Sequence, residues 1–114
     1  MGDNNINIKI KKMGLLVNAT EEKKILIQGT NIELPNVYVR LEYSARLNGV
    51  ILEIASYIYN SKDSYDNGDA IVLTNVPMSN ITIELQEGEE QNLQSAELYS
   101  KIQYESLGYK VDIL

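Results

Sequence analysis

The sequence predicts an α+β fold that is mainly β, a small antiparallel β-sandwich or partly open barrel with one C-terminal α-helix. Three observations indicate this class. Short apolar runs alternate with polar residues, an Asn-Gly pair separates two of these runs, and one apolar stripe near the C-terminus has helical spacing. The chain has 114 residues, the size of one domain, so we treat residues 1–114 as a single β-rich unit.

The first third of the chain contains several short strand patterns. Isoleucines alternate with polar residues over 6–10, which is typical of a half-buried strand. Residues 13–17 continue the apolar pattern, with Gly14 as an expected bulge or bend. Two more short strands are predicted at 25–27 and 32–34, with a turn between them.

The strongest pattern is a predicted hairpin between residues 37 and 59. Asn48-Gly49 separates two β-rich runs, and this pair favours a tight turn because both residues take positive φ. Placing the pair at the turn sets the register of the hairpin. The predicted core face pairs Leu47 with Val50, Ala45 with Leu52, Tyr43 with Ile54, Leu41 with Ser56 and Val39 with Ile58. The other face pairs Arg46 with Ile51, Ser44 with Glu53, Glu42 with Ala55, Arg40 with Tyr57 and Tyr38 with Tyr59.

That second face is not simply polar, because Tyr38, Tyr57 and Tyr59 lie together at its open end. Tyrosine combines apolar area with a hydrogen-bonding tip, which suits surfaces that are wet in the free protein and buried in a complex. We expect either a helix of this chain or another chain to cover part of the face. The alternative is that these tyrosines are ordinary residues at the edge of the core. The charged residues of the same face predict a ladder of ion pairs.

The second half of the chain predicts a helical turn, two strands, a helix and a final strand. Residues 61–67 begin with a capping serine and end before a glycine, as one capped helical turn does. Strands are expected at 70–76 and 81–85, the helix at 92–107, and the last strand at 109–113. The helical stripe expected to face the core comprises Leu93, Ala96, Tyr99 and Ile102, widened by Leu98 and Leu107.

The charge of the chain argues against several classes of partner. It has 10 basic and 16 acidic residues, a net charge of −6. Nucleic-acid affinity comes largely from Lys and Arg at phosphates, so no nucleic-acid partner is expected. The same acidity disfavours anionic membrane surfaces, and no apolar run approaches the roughly 20 residues of a membrane helix. The first residues lack the pattern of a signal peptide, so we expect synthesis in the cytoplasm.

The residue types also argue against catalysis. The chain has no His and no Cys, which removes the commonest general base, nucleophile and transition-metal ligands. Residues 63–69 resemble a calcium loop only in part, because Tyr65 and Thr74 stand where ligands are needed. The acidic turn at 87–90 fits the start of a helix better than a hydrolytic pair. We expect no enzymatic activity, no catalytic residue, no metal site and no cofactor.

Three stretches carry a resemblance to a known class of protein. They are residues 34–45 (LPNVYVRLEYSA), residues 48–57 beginning with Asn-Gly, and the capped turn at 61–65. In this order, followed by a strand ending at Pro77 and a C-terminal helix, they resemble small structural proteins of tailed bacteriophages and prophages, above all those of the crAss-like type. The resemblance spans residue 6 to the C-terminus. It implies a virion component, repeated around the neck, tail or capsid, without a catalytic role.

The expected function is therefore a non-enzymatic structural subunit of a phage neck, connector or tail ring. Its expected partners are copies of itself, as a homo-oligomer, and other virion proteins. The alternative is a soluble acidic inhibitor, encoded by a phage, that blocks a host protein. Against that alternative, the acidic residues are interleaved with Lys and Arg along the chain. The residues expected at the interface are Tyr38, Arg40, Tyr57, Tyr59, Ile8 and Ile10.

Overall fold

The computed structural model describes residues 14–47, 49–78 and 80–114. This part of the chain is mainly β, with a curled antiparallel half-barrel sheet and one long C-terminal helix. The predicted fold class is confirmed, and its partly open barrel form is the one adopted. The strand predicted at 6–10 lies outside the described residues.

The described chain contains seven strands and two helices, and only β4, β5 and β6 form a meander of sequential neighbours. The strands are β1 (Gly14–Asn18), β2 (Ile25–Leu26), β3 (Glu33–Leu34), β4 (Asn36–Ala45), β5 (Ile51–Tyr59), β6 (Asn80–Glu84) and β7 (Lys110–Ile113). The helices are α1 (Lys62–Asp66) and α2 (Leu93–Ser106). Among the described residues, the main sheet has the order β6-β5-β4-β1-β7, and β2 pairs with β3 in a separate sheet. All of these pairings are antiparallel.

The register of the β4–β5 hairpin is the predicted one, from Ala45 opposite Leu52 to Tyr38 opposite Tyr59. The turn, however, is wider than two residues. The ladder closes where the Arg46 N–H donates to the Ile51 carbonyl at 3.1 Å, so the predicted pair Leu47–Val50 belongs to the loop. Gly49 has the expected positive φ, at 80°. Asn48 lies outside the described residues.

The core lies between the inner face of the main sheet and α2. One fully buried Leu or Ile side chain contributes roughly 1.5–3 kcal/mol, so this layer is the main source of stability. The inner-face residues in the core are Leu15, Val17, Val37, Val39, Leu41, Leu52, Ile54, Ile58 and Val111. They pack with Ala96 and Tyr104 of α2.

Helix α2 forms where it was predicted, and its buried face overlaps the predicted stripe in part, since Ala96 is buried and Tyr99 packs against the core. Asn92 caps the helix by accepting a hydrogen bond from the Ser95 N–H at 3.0 Å. The buried residues are Ala96, Glu97, Ser100 and Tyr104. Of the predicted core stripe, Leu98, Ile102 and Leu107 are exposed. Tyr104 lies on this buried face, and its hydroxyl reaches polar partners in the core.

Those partners explain the one polar residue on the predicted core face, Ser56. The Tyr104 hydroxyl hydrogen-bonds with Ser56 Oγ at 2.9 Å and with the Pro77 carbonyl at 2.8 Å. A buried polar group costs stability unless it is bonded, so these contacts permit a serine in the core. They also join α2 to β5 and to the segment that leads into β6.

Two other predictions were wrong. Gly14 forms no bulge but stands opposite Arg40 in the regular β1–β4 ladder. A Cβ atom at Gly14 would overlap the Tyr38 ring, so the glycine leaves room for that ring. Residues 70–76 form no strand, only a single bridge between Ile27 and Thr74. Backbone bonds from Gln28 to Leu73 and from Asn75 to Leu26 flank that bridge, and the Asn75 side chain adds bonds to the Leu26 N–H and the Lys24 carbonyl.

Replacing Tyr104 by phenylalanine tests the buried hydrogen bonds, because it keeps the ring and removes the hydroxyl. We expect the free energy of unfolding to fall by about 1–2 kcal/mol, measured by urea unfolding. Ser56→Ala should cost less in the Tyr104→Phe background than in the parent, since its hydroxyl has by then lost this contact. Full additivity of the two substitutions would show that the contact contributes nothing.

Candidate protein-interaction surface

The outer face of the β4–β5 hairpin carries four of the residues that the sequence placed at an interface. The ladder sets Tyr38 opposite Tyr59 and Arg40 opposite Tyr57. Because side chains alternate between the two faces of a strand, all four point away from the core layer beneath α2. The other two candidates, Ile8 and Ile10, lie outside the described residues.

Helix α1 covers the open end of this face with one side chain, Tyr65. The ring centroid of Tyr65 lies 5.7 Å from that of Tyr38 and 5.0 Å from that of Tyr59, where the packing is edge-to-face. Tyr38 is only 1% exposed, and burial raises the pKa of its hydroxyl. Of the two covers expected from the sequence, a helix of this chain or another chain, the helical turn α1 covers the open end of the face. Tyr38 is therefore buried.

Two hydrogen-bond partners, Tyr65 and Glu42, fix the position of the Arg40 side chain. Its Nε donates to the Tyr65 hydroxyl at 2.6 Å, and its guanidinium carbon lies 5.5 Å from the centroid of that ring. Its Nη1 donates to the Glu42 carboxylate, and this charge-assisted bond raises the pKa of the guanidinium. Arg40 thus presents an oriented positive charge.

The predicted ladder of ion pairs on this face is confirmed. In addition to Arg40–Glu42, the Arg46 guanidinium donates to Glu53 at 2.7 Å. This contact lowers the pKa of the Glu53 carboxyl. Such exposed pairs contribute little to stability, but they fix the pattern of charge that a partner meets.

Tyr57 is the tyrosine of this face that remains exposed, at 38%. We define the hairpin surface as Tyr57 together with Arg40, Glu42 and Glu53. It combines one aromatic side chain with fixed charges of both signs. That composition is typical of the boundary between the apolar core and the polar rim of an interface.

A second exposed surface was not predicted, and it lies on α2. Leu98 and Ile102 are one helical turn apart and are 47% and 53% exposed. We call this pair the helix patch. The signal was present in the sequence, since the two residues stand at i and i+4. Sequence reasoning assigned them to the core because an apolar stripe usually faces it.

The acidic turn before α2 is anchored by hydrogen bonds to Glu89. Glu89 Oε1 accepts hydrogen bonds from the Tyr99 hydroxyl and from the Gln86 N–H, each at 2.6 Å. These bonds lower the pKa of Glu89. A general acid working near neutral pH needs a raised carboxyl pKa, so the shift runs opposite to that role.

The described residues contain no helix long and apolar enough to cross a membrane and no group of acidic side chains placed to hold a metal ion. Comparison of the whole chain with protein-family models, with curated protein sequences and with solved structures gives no match.

Tyr65→Ala tests the cover of the tyrosine cluster. It removes the ring above Tyr38 and Tyr59 and the acceptor of the Arg40 bond, so we expect a loss of about 2 kcal/mol in the free energy of unfolding. Tyr57→Ala is the matched control, since it truncates an exposed ring of the same face, and it should change stability by about 0.5 kcal/mol or less. Equal urea midpoints for the two variants would contradict the assignment.

Tyr99→Phe tests the anchoring of the acidic turn. The substitution removes the largest contribution to the low pKa of Glu89, so that pKa should rise towards the ordinary glutamate value. A depressed carboxyl pKa contributes stability above the unfolded-state pKa, and this contribution is lost as pH falls through the folded-state pKa. The variant should therefore lose part of that contribution at neutral pH and less of it in acid. NMR titration of the Glu89 carboxyl measures the shift, and an unchanged midpoint would rule out the bond.

Proposed function

We propose that this chain is a non-enzymatic structural subunit of a bacteriophage virion, located in the neck, connector or a tail ring. It acts through contacts with copies of itself and with other virion proteins. The resemblance of residues 34–65 to small structural proteins of tailed phages supports the choice of assembly. Its place within the particle remains an expectation from the sequence.

The observation that carries the proposal is the exposure of the helix patch. Leu98 and Ile102 lie on the one long helix of the described chain, facing away from the core that the same helix covers. Exposed apolar side chains that are adjacent on one face mark a site for another protein more often than scattered ones do. Burying this pair in a partner would recover the stabilisation that the fold leaves unused.

The hairpin surface supports a role in orientation. The Arg40–Glu42 and Arg46–Glu53 pairs hold charges of both signs in fixed positions beside Tyr57. Across an interface, such patterns select the partner and its register more than they add affinity. A subunit repeated around a ring needs this selectivity, because each copy has to meet its neighbour in the same way.

The deciding experiment is incorporation into phage particles. The double variant Leu98→Gln/Ile102→Gln keeps good helix formers on the exposed face of α2, so we expect it to fold like the parent but to be depleted at least tenfold from purified particles. Ile32→Gln, which removes an exposed isoleucine far along the sequence from α2, is the matched control and should incorporate normally. Quantitative mass spectrometry of the particles gives the copy number.

Two outcomes would overturn the proposal. Absence of the parent chain from purified particles would exclude a structural role, and co-purification with one host protein would then favour the inhibitor. Normal incorporation of the double variant would show that the helix patch is not the contact surface.

A further inference from the structure

We propose that strand β6 pairs with β6 of a second copy of this chain, antiparallel and about a twofold axis at Thr82. In the described residues β6 is one edge of the main sheet, with β5 on its other side. The edge of a sheet presents backbone N–H and carbonyl groups that a strand of another chain can bond. The inference deepens the proposed function, which names copies of this chain as partners, and its biological role rests on that function.

The backbone groups of alternate residues of β6 point away from the sheet. The Leu85 N–H donates to the Val50 carbonyl at 2.7 Å, so the odd-numbered residues of β6 direct their backbone groups at β5. The even-numbered residues, Asn80, Thr82 and Glu84, direct theirs outward. All three residues are exposed, and the hydrogen bonds within the described part of the chain engage none of these outward backbone groups.

Strand β6 lacks the features that usually keep the edge of a sheet from pairing. Natural edge strands are protected by lysine, by proline or by a bulge. The five residues of β6 contain no lysine and no proline, and their ladder to β5 is regular from Asn80 to Glu84. Ile81, Thr82 and Ile83 are β-branched, the class of residue that packs best on a pleated surface. Such an edge is suited to accept a complementary strand.

The opposite edge of the described sheet, β7, differs in charge and in exposure. Lys110 and Asp112 place charges along that strand. Val111 and Tyr109 are only 3% and 4% exposed, and the Tyr109 N–H already donates to the Tyr104 carbonyl at 3.4 Å. Of the two edges, β6 is therefore the one that offers backbone groups to another strand.

The side chains of β6 complement themselves about a twofold axis at Thr82. On the outer face the two copies of Thr82 lie opposite each other, and cross-strand threonine pairs are favourable. Asn80 of each copy faces Glu84 of the second copy, so its amide can donate to the carboxylate. On the inner face Ile81 faces Ile83 of the second copy, in the class of pair whose Cα atoms come closest, at about 4.5 Å. Every residue of the strand then has a partner.

Overlap and charge select this axis over its neighbours. An axis at Ile81 would pair only residues 80–82 of the strand, and an axis at Ile83 only residues 82–84. An axis at Glu84 would overlap still less and would oppose two carboxylates. A slip that set Ile81 against Thr82 would mix the inner and outer faces of the sheet.

The pairing also extends an apolar layer that α2 does not fully cover. Helix α2 packs mainly against β7 and reaches over β1, β4 and β5. Ile81 and Ile83 lie at the margin of the core, where each is only partly buried. In the dimer each of them packs against an isoleucine of the second copy, and the apolar surface buried there stabilises the pair. A second copy supplies isoleucine at both positions, which favours it over a strand of unrelated sequence.

Two charge variants at the axis test the pairing. Thr82→Lys and Thr82→Glu each set like charges opposite each other, so each alone should dimerise roughly tenfold more weakly than the parent. An equimolar mixture should form dimers with one copy of each variant, because only there are the facing charges of opposite sign. Sedimentation equilibrium gives the dissociation constants, and native mass spectrometry identifies the mixed dimer. Gln94→Lys adds the same charge on α2 and should leave the parent dimer intact.

Amide hydrogen exchange locates the backbone contact. Dimerisation should slow exchange of the outward N–H groups of Asn80, Thr82 and Glu84. The N–H groups of Ile81 and Ile83 bond β5 within one chain, so they serve as an internal reference that is protected at every protein concentration. Outward groups already protected in the monomer would show that this edge is occupied within the chain and would overturn the inference.

The oligomeric state gives further outcomes that would contradict the pairing. A parent chain that stays monomeric up to about 100 µM would do so. So would a mixture that dimerises no better than either charge variant alone, or loss of the dimer in Gln94→Lys. Species that grow beyond the dimer would indicate head-to-tail pairing of different edges instead.

The test also separates this inference from the proposed function. The double variant Leu98→Gln/Ile102→Gln should keep the β6 dimer, because its substitutions lie on α2. A β6 dimer in solution without incorporation of the parent into particles would contradict the proposed function and leave the pairing standing. Incorporation of a parent chain that forms no β6 dimer would do the reverse.

Discussion

The register of the β4–β5 hairpin decides what every other part of the chain meets. In the observed register, the inner face presents Val39, Leu41, Leu52, Ile54 and Ile58, and the outer face presents the charges and three tyrosines. A slip of one residue would exchange the faces, burying Arg40 and Glu42 beneath α2. Burying these two charges without partners would cost more free energy than the net stability of a folded domain, because an unpaired buried ion is strongly unfavourable. The hairpin register therefore determines the surfaces against which both helices pack.

The two helices cover these surfaces by different means. Helix α2 buries Ala96, Ser100 and Tyr104, and the Tyr104 hydroxyl bonds partners on β5 and in the segment before β6. Helix α1 is a single turn and supplies one ring, Tyr65, to a cluster of two more. Helix α2 thus completes the core, whereas α1 covers only one end of the outer face. The cover by α1 still matters, because it buries Tyr38, which was a candidate contact residue.

Much of this fold could be predicted from the sequence, and the failures share a cause. The hairpin register followed from Asn48-Gly49 and strict alternation, and the helix bounds from Asn92 and the glycine after Leu107. Turn and capping preferences depend on residues that are neighbours in the sequence, so the sequence alone can predict them. Which face of α2 is buried depends on what the sheet offers, here room for Tyr104 and a hydroxyl at Ser56. Residues 70–76 have strand composition, but their pairing with the β2 region is limited to the single bridge between Ile27 and Thr74, beside which the Asn75 side chain bonds Leu26 and Lys24. Tyr65 was overlooked as a cover because its partners are distant in sequence.

An open half-barrel leaves a problem that a closed barrel does not have. Closure would require β6 to bond β7 and so remove both edges. In the described chain α2 lies on the inner face and packs against β7, and the two edges remain apart. The edges differ in what they present: β6 offers threonine and one glutamate, and β7 offers lysine and aspartate in alternation. Charged side chains on an edge strand discourage pairing with other strands, and in the described sheet Lys110 and Asp112 have this effect on β7.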